Sequence, residues 1–175
     1  MTTIVYKKDQ FLAADKRWVG GDPGIDDTIN KIITFTKSYY RIHVAMAGMR
    51  MMTEAVTESI EKYFTTEVNS ADMYLLREDF KRLNLGSESF HTIIVYENLV
   101  EPQIRAWKIT GTCVEEIFWP VCLWGSGAGW ADGMLAVMPD INPEQLFLEI
   151  SKRDVNTSHQ FDIIEFSYSK LNTPF

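Results

Sequence analysis

At 175 residues, with 46% of them hydrophobic, the chain fits one domain, residues 1–175, large enough to bury a substantial core. A net charge of −7 with no basic block argues against a surface that tracks phosphates, and so against nucleic acid as a partner. No run approaches the ~20 apolar residues of a membrane helix, and Met1 to Lys8 lacks the apolar core of a signal peptide, which predicts a cytoplasmic protein without a membrane partner.

The first residue of chemical interest is Thr2. Removal of Met1 would leave a hydroxyl and a free α-amine on the same residue. Such an amine titrates near pH ~8, well below a lysine, so part of it is unprotonated at neutral pH and able to take the hydroxyl proton. A threonine hydroxyl paired with its own N-terminal amine is one established way to activate a weak nucleophile.

Thr3 to Lys7 and Phe11 to Asp15 are β-prone runs joined by Lys8-Asp9-Gln10, which reads as a hairpin. Gly20-Gly21-Asp22-Pro23-Gly24 is a loop, and Ile29 to Thr36 with Tyr40 to Ala47 predicts a second strand pair. From Met49 the apolar period lengthens. Met52, Val56, Ile60 and Phe64 recur at helical spacing, and a second helix is predicted from Asn69, its N-cap, to about Asn84, with Met73, Leu76, Phe80 and Leu83 inward. Strands return at Thr92 to Glu97, Gln103 to Thr110 and Cys113 to Phe118.

Gly127 to Met138 reads as a helix, and Asn142-Pro143-Glu144-Gln145 supplies a capping residue, a proline at the first helical position and a glutamine for a capping box on a helix running to about Lys152. A strand from Gln160 to Tyr168 follows. Cys113 and Cys122 are read as buried thiols, and His43, His91 and His159 have no ligand spacing, so neither metal nor cofactor is expected. The order of four strands, two helices, three strands, two helices and a strand predicts an α+β chain built as a four-layer αββα sandwich.

Six separated segments then resemble the landmarks of proteasome β-subunits: Thr2-Thr3-Ile4-Val5, Ala13-Ala14-Asp15-Lys16-Arg17, Asn30-Lys31-Ile32, Met46-Ala47-Gly48, Gly125-Ser126-Gly127, and Arg153-Asp154 with Thr157. Order and spacing match, and the length resembles the bacterial HslV-type peptidase. The resemblance implies an N-terminal-nucleophile hydrolase fold and a threonine endopeptidase acting on polypeptide. In that reading Thr2 is the nucleophile, and Lys31 favours its alkoxide and keeps the amine neutral. Asp15 holds Lys31, with Arg17 beside it in a structural role. Ser126 and Asp154 orient the amine, supported by Thr157, and the Gly48 backbone N–H receives the oxyanion.

Met46 corresponds to the floor of the first specificity pocket, with Trp18 and Ile29 among its lining positions, which implies apolar substrate residues. Val19 stands where the family usually has a threonine aligning the substrate backbone, and Met49-Arg50 follows Gly48 where smaller residues are common. The resemblance also implies a homo-oligomeric ring and an ATP-dependent unfoldase as partner. Two other readings of the same residues are a non-catalytic scaffold of this fold, to which Val19 and Met49 lean, and an amidase acting on a small molecule.

Overall fold

The computed structural model describes residues 2–19, 25–48, 53–63, 70–83, 90–101 and 103–166. Within them the chain is α+β, with two larger antiparallel sheets, a two-stranded ribbon and four helices, gathered into two compact units, Met1–Ile33 with Trp119–Phe175, and Thr34–Phe118.

In the first unit β1 (Thr3–Lys7) and β2 (Phe11–Asp15) form the expected hairpin. It turns at Asp9, whose φ of 59° is left-handed, and Gln10 N–H donates to the Lys7 carbonyl at 3.0 Å. Two later strands flank this hairpin, β10 (Val121–Gly125) beside β1 and β11 (Phe161–Glu165) beside β2. The hairpin strands are therefore interior, and successive residues on both of their faces are buried, which is why Ile4-Val5-Tyr6 and Leu12-Ala13-Ala14 are continuous apolar runs rather than alternating ones.

Val5, Phe11 and Ala13 pack with Ala131 and Leu135 of α3 (Ala128–Val137) and with Leu146, Phe147 and Ile150 of α4 (Pro143–Ser151). Fully burying each large side chain of this kind contributes about 1.5–3 kcal/mol. The Phe147 and Phe161 rings stack at 4.8 Å. Asn142 caps α4 as its sequence predicts, Oδ1 accepting from the Gln145 N–H at 2.8 Å ahead of Pro143. A small ribbon, β3 (Trp18–Val19) with β4 (Ile25–Asp26), completes the strands of this unit.

This topology fixes the site. Antiparallel pairing puts the start of β1 beside the end of β2, so Ile4 faces Ala14 in register, while Thr3 faces Gly125 and Phe161 faces Asp15. Residues far apart in sequence thus meet at one end of the sheet.

The second unit carries a sheet ordered β5 (Ile32–Thr36), β6 (Tyr40–Gly48), β7 (Phe90–Asn98), β8 (Gln103–Thr110) and β9 (Cys113–Glu116). Two helices accompany it, α1 (Thr53–Tyr63) and α2 (Ser70–Arg82). Val56 and Ile60 of α1 and Met73, Leu76 and Phe80 of α2 are buried at the predicted spacing. Asp79 ties the helices, accepting from Tyr63 Oη at 2.7 Å and Lys62 Nζ at 3.1 Å.

Several details differ from expectation. Among the described residues six strands, not four, precede α1, because two-residue strands such as β3 and β4 are too short to show a period. The second pair starts at Ile32 rather than Ile29, and β10 is an additional strand in an apolar run without alternation. Cys122 is buried but Cys113, on β9, is exposed. The Gly20 to Gly24 loop, Met52, Phe64, Asn69, Asn84 and Tyr168 lie outside the described residues. No described helix is long and apolar enough to cross a membrane.

Candidate active site

At the shared end of the first unit's sheet, Thr2 is buried, with 4% of its surface exposed. The peptide that follows it is held from two sides. Thr3 N–H donates to Asp15 Oδ1 at 2.6 Å, and Gly125, at φ +99°, leaves room for the Thr2 carbonyl, which a Cβ there would meet at 1.4 Å.

Asp15, fully buried, is saturated. Its Oδ2 accepts backbone N–H groups from Arg17 at 2.9 Å and Ser158 at 3.2 Å, and Oδ1 lies 3.5 Å from Lys31 Nζ. Lys31 sits just ahead of β5 and is itself buried, its Nζ donating to the Arg17 carbonyl and its backbone N–H to Asp162 Oδ2 at 3.0 Å. Burial pushes the Lys31 ammonium down from the ordinary lysine range and the Asp15 carboxyl up from the ordinary aspartate range, and each draws the other back. The Arg17 guanidinium is engaged elsewhere, with both Asp27 oxygens at 2.8 Å and the Val155 carbonyl at 2.7 Å. Its hydrogen bonds hold Asp27 below the usual aspartate range.

A second group lies at the start of α3 and the end of α4. Ser126 Oγ donates to Asp154 Oδ2 at 2.5 Å, Thr157 Oγ1 donates to the same oxygen at 2.6 Å, and Asn156 N–H reaches Oδ1 at 3.0 Å. Burial works against the Asp154 charge, but the donors from Ser126, Thr157 and Asn156 outweigh it and hold its pKa below the ordinary aspartate value.

That depression has a sign. A carboxyl with a lowered folded-state pKa adds stability that is present above its unfolded pKa and lost as pH falls through its folded pKa. Urea unfolding between about pH 5 and pH 2 should therefore show a steeper loss of stability in the wild type than in Asp154→Asn; equal slopes would mean that the donor set does not favour the anion.

Of the substrate-lining candidates, Trp18 on β3 and Ile29 ahead of Lys31 are half-buried in the first unit, and the Val19 side chain lies outside the described residues. Met46 and Gly48 belong to the second unit, on β6. Met46 is buried, its sulfur 3.9 Å from Thr57 Oγ1 of α1, and Gly48 ends the strand at φ +136°, a conformation that favours glycine. Met49 and Arg50 are outside the described residues. Thus Asp15, Arg17 and Lys31 converge beside the peptide of Thr2, and Ser126, Asp154 and Thr157 converge on one carboxylate oxygen. Thr3 and Ser158 were not singled out from sequence. Both supply polar groups directed at candidates already identified, and their only sequence signal is adjacency to Thr2 and Thr157.

No family profile and no curated protein matches the chain. Solved structures do. Anbu from Hyphomicrobium sp. strain MC1, in a Gly-1 mutant form, is similar with a TM-score of 0.74 at 14% identity, over 94% of this chain and 80% of that one. Eukaryotic HslV from Trypanosoma brucei gives a TM-score of 0.65 at 14% identity over 94% and 98%. Anbu from Pseudomonas aeruginosa, solved as a helical assembly, gives 0.64 at 14% over 95% and 81%. The chain therefore has an HslV- and Anbu-like, proteasome-related fold.

Proposed function

We propose that this protein is a threonine-type endopeptidase of the proteasome and HslV kind, acting through Thr2 once Met1 is removed. The observation that carries the reading is the buried Lys31–Asp15 pair beside the peptide that joins Thr2 to Thr3. Burying a cation and an anion costs several kcal/mol per ion before their attraction is counted, and a solvent-exposed strand lysine would have avoided that cost.

The chemistry follows from the groups present. The freed amine of Thr2 takes the hydroxyl proton as Oγ1 attacks the substrate carbonyl, and the Lys31 ammonium stabilises the developing alkoxide. The resemblance to proteasome β-subunits assigns the oxyanion to the Gly48 N–H. The leaving amine takes the proton back from the Thr2 ammonium, leaving an acyl ester on Thr2, and water, activated by the same amine, releases the acid and regenerates the hydroxyl. Ser126 and Asp154, supported by Thr157, orient the amine. Trp18 and Ile29, with the main chain at Val19, are assigned to apolar substrate residues, and the resemblance assigns Met46 the same role. Arg17 braces the loop after β2.

The same reading makes residues 1–175 one proteasome-subunit-like domain in an αββα sandwich, cytoplasmic, assembled as a homo-oligomeric ring and fed by an ATP-dependent unfoldase. A second reading, a non-catalytic scaffold, is favoured by Val19 in place of the usual threonine.

The test is Lys31→Ala. Endopeptidase turnover should fall by roughly 100-fold or more, as for loss of a preorganised transition-state stabiliser, with circular dichroism unchanged. Wild-type rates in the variant would reduce Lys31 to a structural residue and remove it from the proposed chemistry.

A further inference from the structure

The geometry points to Thr3 as a positioning residue of this site, whose side chain helps to fix the amine-orienting group in place; this rests on the peptidase reading. Its hydroxyl is fully buried and lies 2.6 Å from Thr157 Oγ1, while Gly127 N–H donates to it at 3.0 Å. The direction of each bond follows from counting hydrogens. Thr157 spends its only hydroxyl hydrogen on Asp154 Oδ2, so between the two threonines Thr3 must be the donor. Gly127 N–H then donates to Thr3, Thr3 to Thr157, and Thr157 to Asp154, where Ser126 donates from the other side.

Because Ser126 and Gly127 are consecutive, the hydrogen bonds close into a ring through the backbone, and every hydroxyl hydrogen in it is committed. Ser126 Oγ is left with lone pairs alone, so it can accept from an amine N–H but cannot compete as a donor. The other end of Thr3, its backbone N–H, is held by Asp15. One residue therefore connects the lysine-bearing half of the site with the amine-orienting half, directly after the nucleophile. A Cβ at Gly127 would meet Thr3 Oγ1 at 2.5 Å and Thr157 Oγ1 at 2.9 Å, which shows how little slack the ring has.

Thr3→Val keeps the shape and the β-branch but removes both functions of the hydroxyl. Its kcat should fall roughly 10- to 100-fold through misorientation, with KM within about threefold of wild type. Thr3→Ser should return to within about threefold of wild-type kcat. Thr157→Val breaks the same link from the far side and decides the matter if Thr3→Val does not fold; its loss should match, and the double variant should be no worse than either single one. Asn142→Ala, which removes the α4 cap far from this ring, should lower Tm and leave kcat unchanged.

The proposal is overturned by a Thr3→Val kcat within twofold of wild type, by no rescue with serine, by multiplicative losses in the double variant, or by an equal kcat loss in Asn142→Ala. If the wild type hydrolyses no peptide, the peptidase reading fails on its own, and crystal structures of wild type and Thr3→Val still judge the wiring. The Ser126–Asp154 contact should break in the variant, and its retention at the present 2.5 Å would overturn the proposal.

Discussion

Replacing Thr2 by alanine should abolish peptide hydrolysis, a loss on the order of 10³-fold or more, with the secondary structure and unfolding midpoint preserved. The size of the effect follows from the division of labour. In the proposed mechanism Lys31, Asp15 and the Ser126–Asp154 group position and polarise, and none of them is assigned as an alternative nucleophile to form the ester. The fold should survive because this point of the chain is held through its backbone: the Thr2 carbonyl lies against Gly125, and the next N–H against Asp15. Thr2→Ser, which keeps both hydroxyl and amine, should retain measurable turnover. Equal rates for wild type and Thr2→Ala, measured on the same fluorogenic peptide, would remove Thr2 from the chemistry.

The largest effect on stability is expected at Gly125. An alanine Cβ there would lie 1.4 Å from the Thr2 carbonyl oxygen, 2.5 Å from its carbon and 3.1 Å from Thr3 Cα. All three neighbours are backbone atoms at the entry to β1, a strand flanked by β10 and β2, so none can rotate away as a side chain could. The residue also sits at φ +99°, where an L side chain is strained. Gly125→Ala should therefore cost about 3 kcal/mol or more in urea unfolding and take activity with it, because the displaced segment carries Thr2. Gly133→Ala is the contrast. A Cβ there meets nothing within 4 Å, and in the middle of α3 the change should stabilise by about 0.5–1 kcal/mol. The two substitutions are chemically identical and should differ in sign, so a neutral Gly125→Ala would show that β1 and β10 are not held as described.

What the sequence makes legible is local. The Lys8-Asp9-Gln10 turn, the buried stripes of α1 and α2, and the Asn142-Pro143 start of α4 are written in neighbouring residues and can be read from spacing and capping chemistry. Pairing between distant segments is not local. Nothing near Thr3 announces that it will face Gly125, and nothing in Val121-Cys122-Leu123-Trp124 distinguishes a flanking strand from other apolar runs.

Lys31 shows the same limit at the candidate site. By residue type and position it reads as a surface lysine, and only the meeting of β2's end with the segment ahead of β5 gives it a buried carboxylate. The resemblance to proteasome β-subunits singled out Asp15, Lys31, Ser126, Asp154 and Thr157. It included Thr3 in a landmark but assigned it no role, because a threonine in a β-prone run needs no further explanation, and its role depends on where Thr157 and Gly127 arrive in space.

The most direct test of the central claim is the intact mass of the natively expressed protein while it is turning over peptide, with an acid quench and peptide mapping. The account predicts a chain that begins at Thr2 and a transient acyl ester on that residue. A protein that hydrolyses peptide with Met1 still attached, or that carries its acyl group on another side chain, would contradict it.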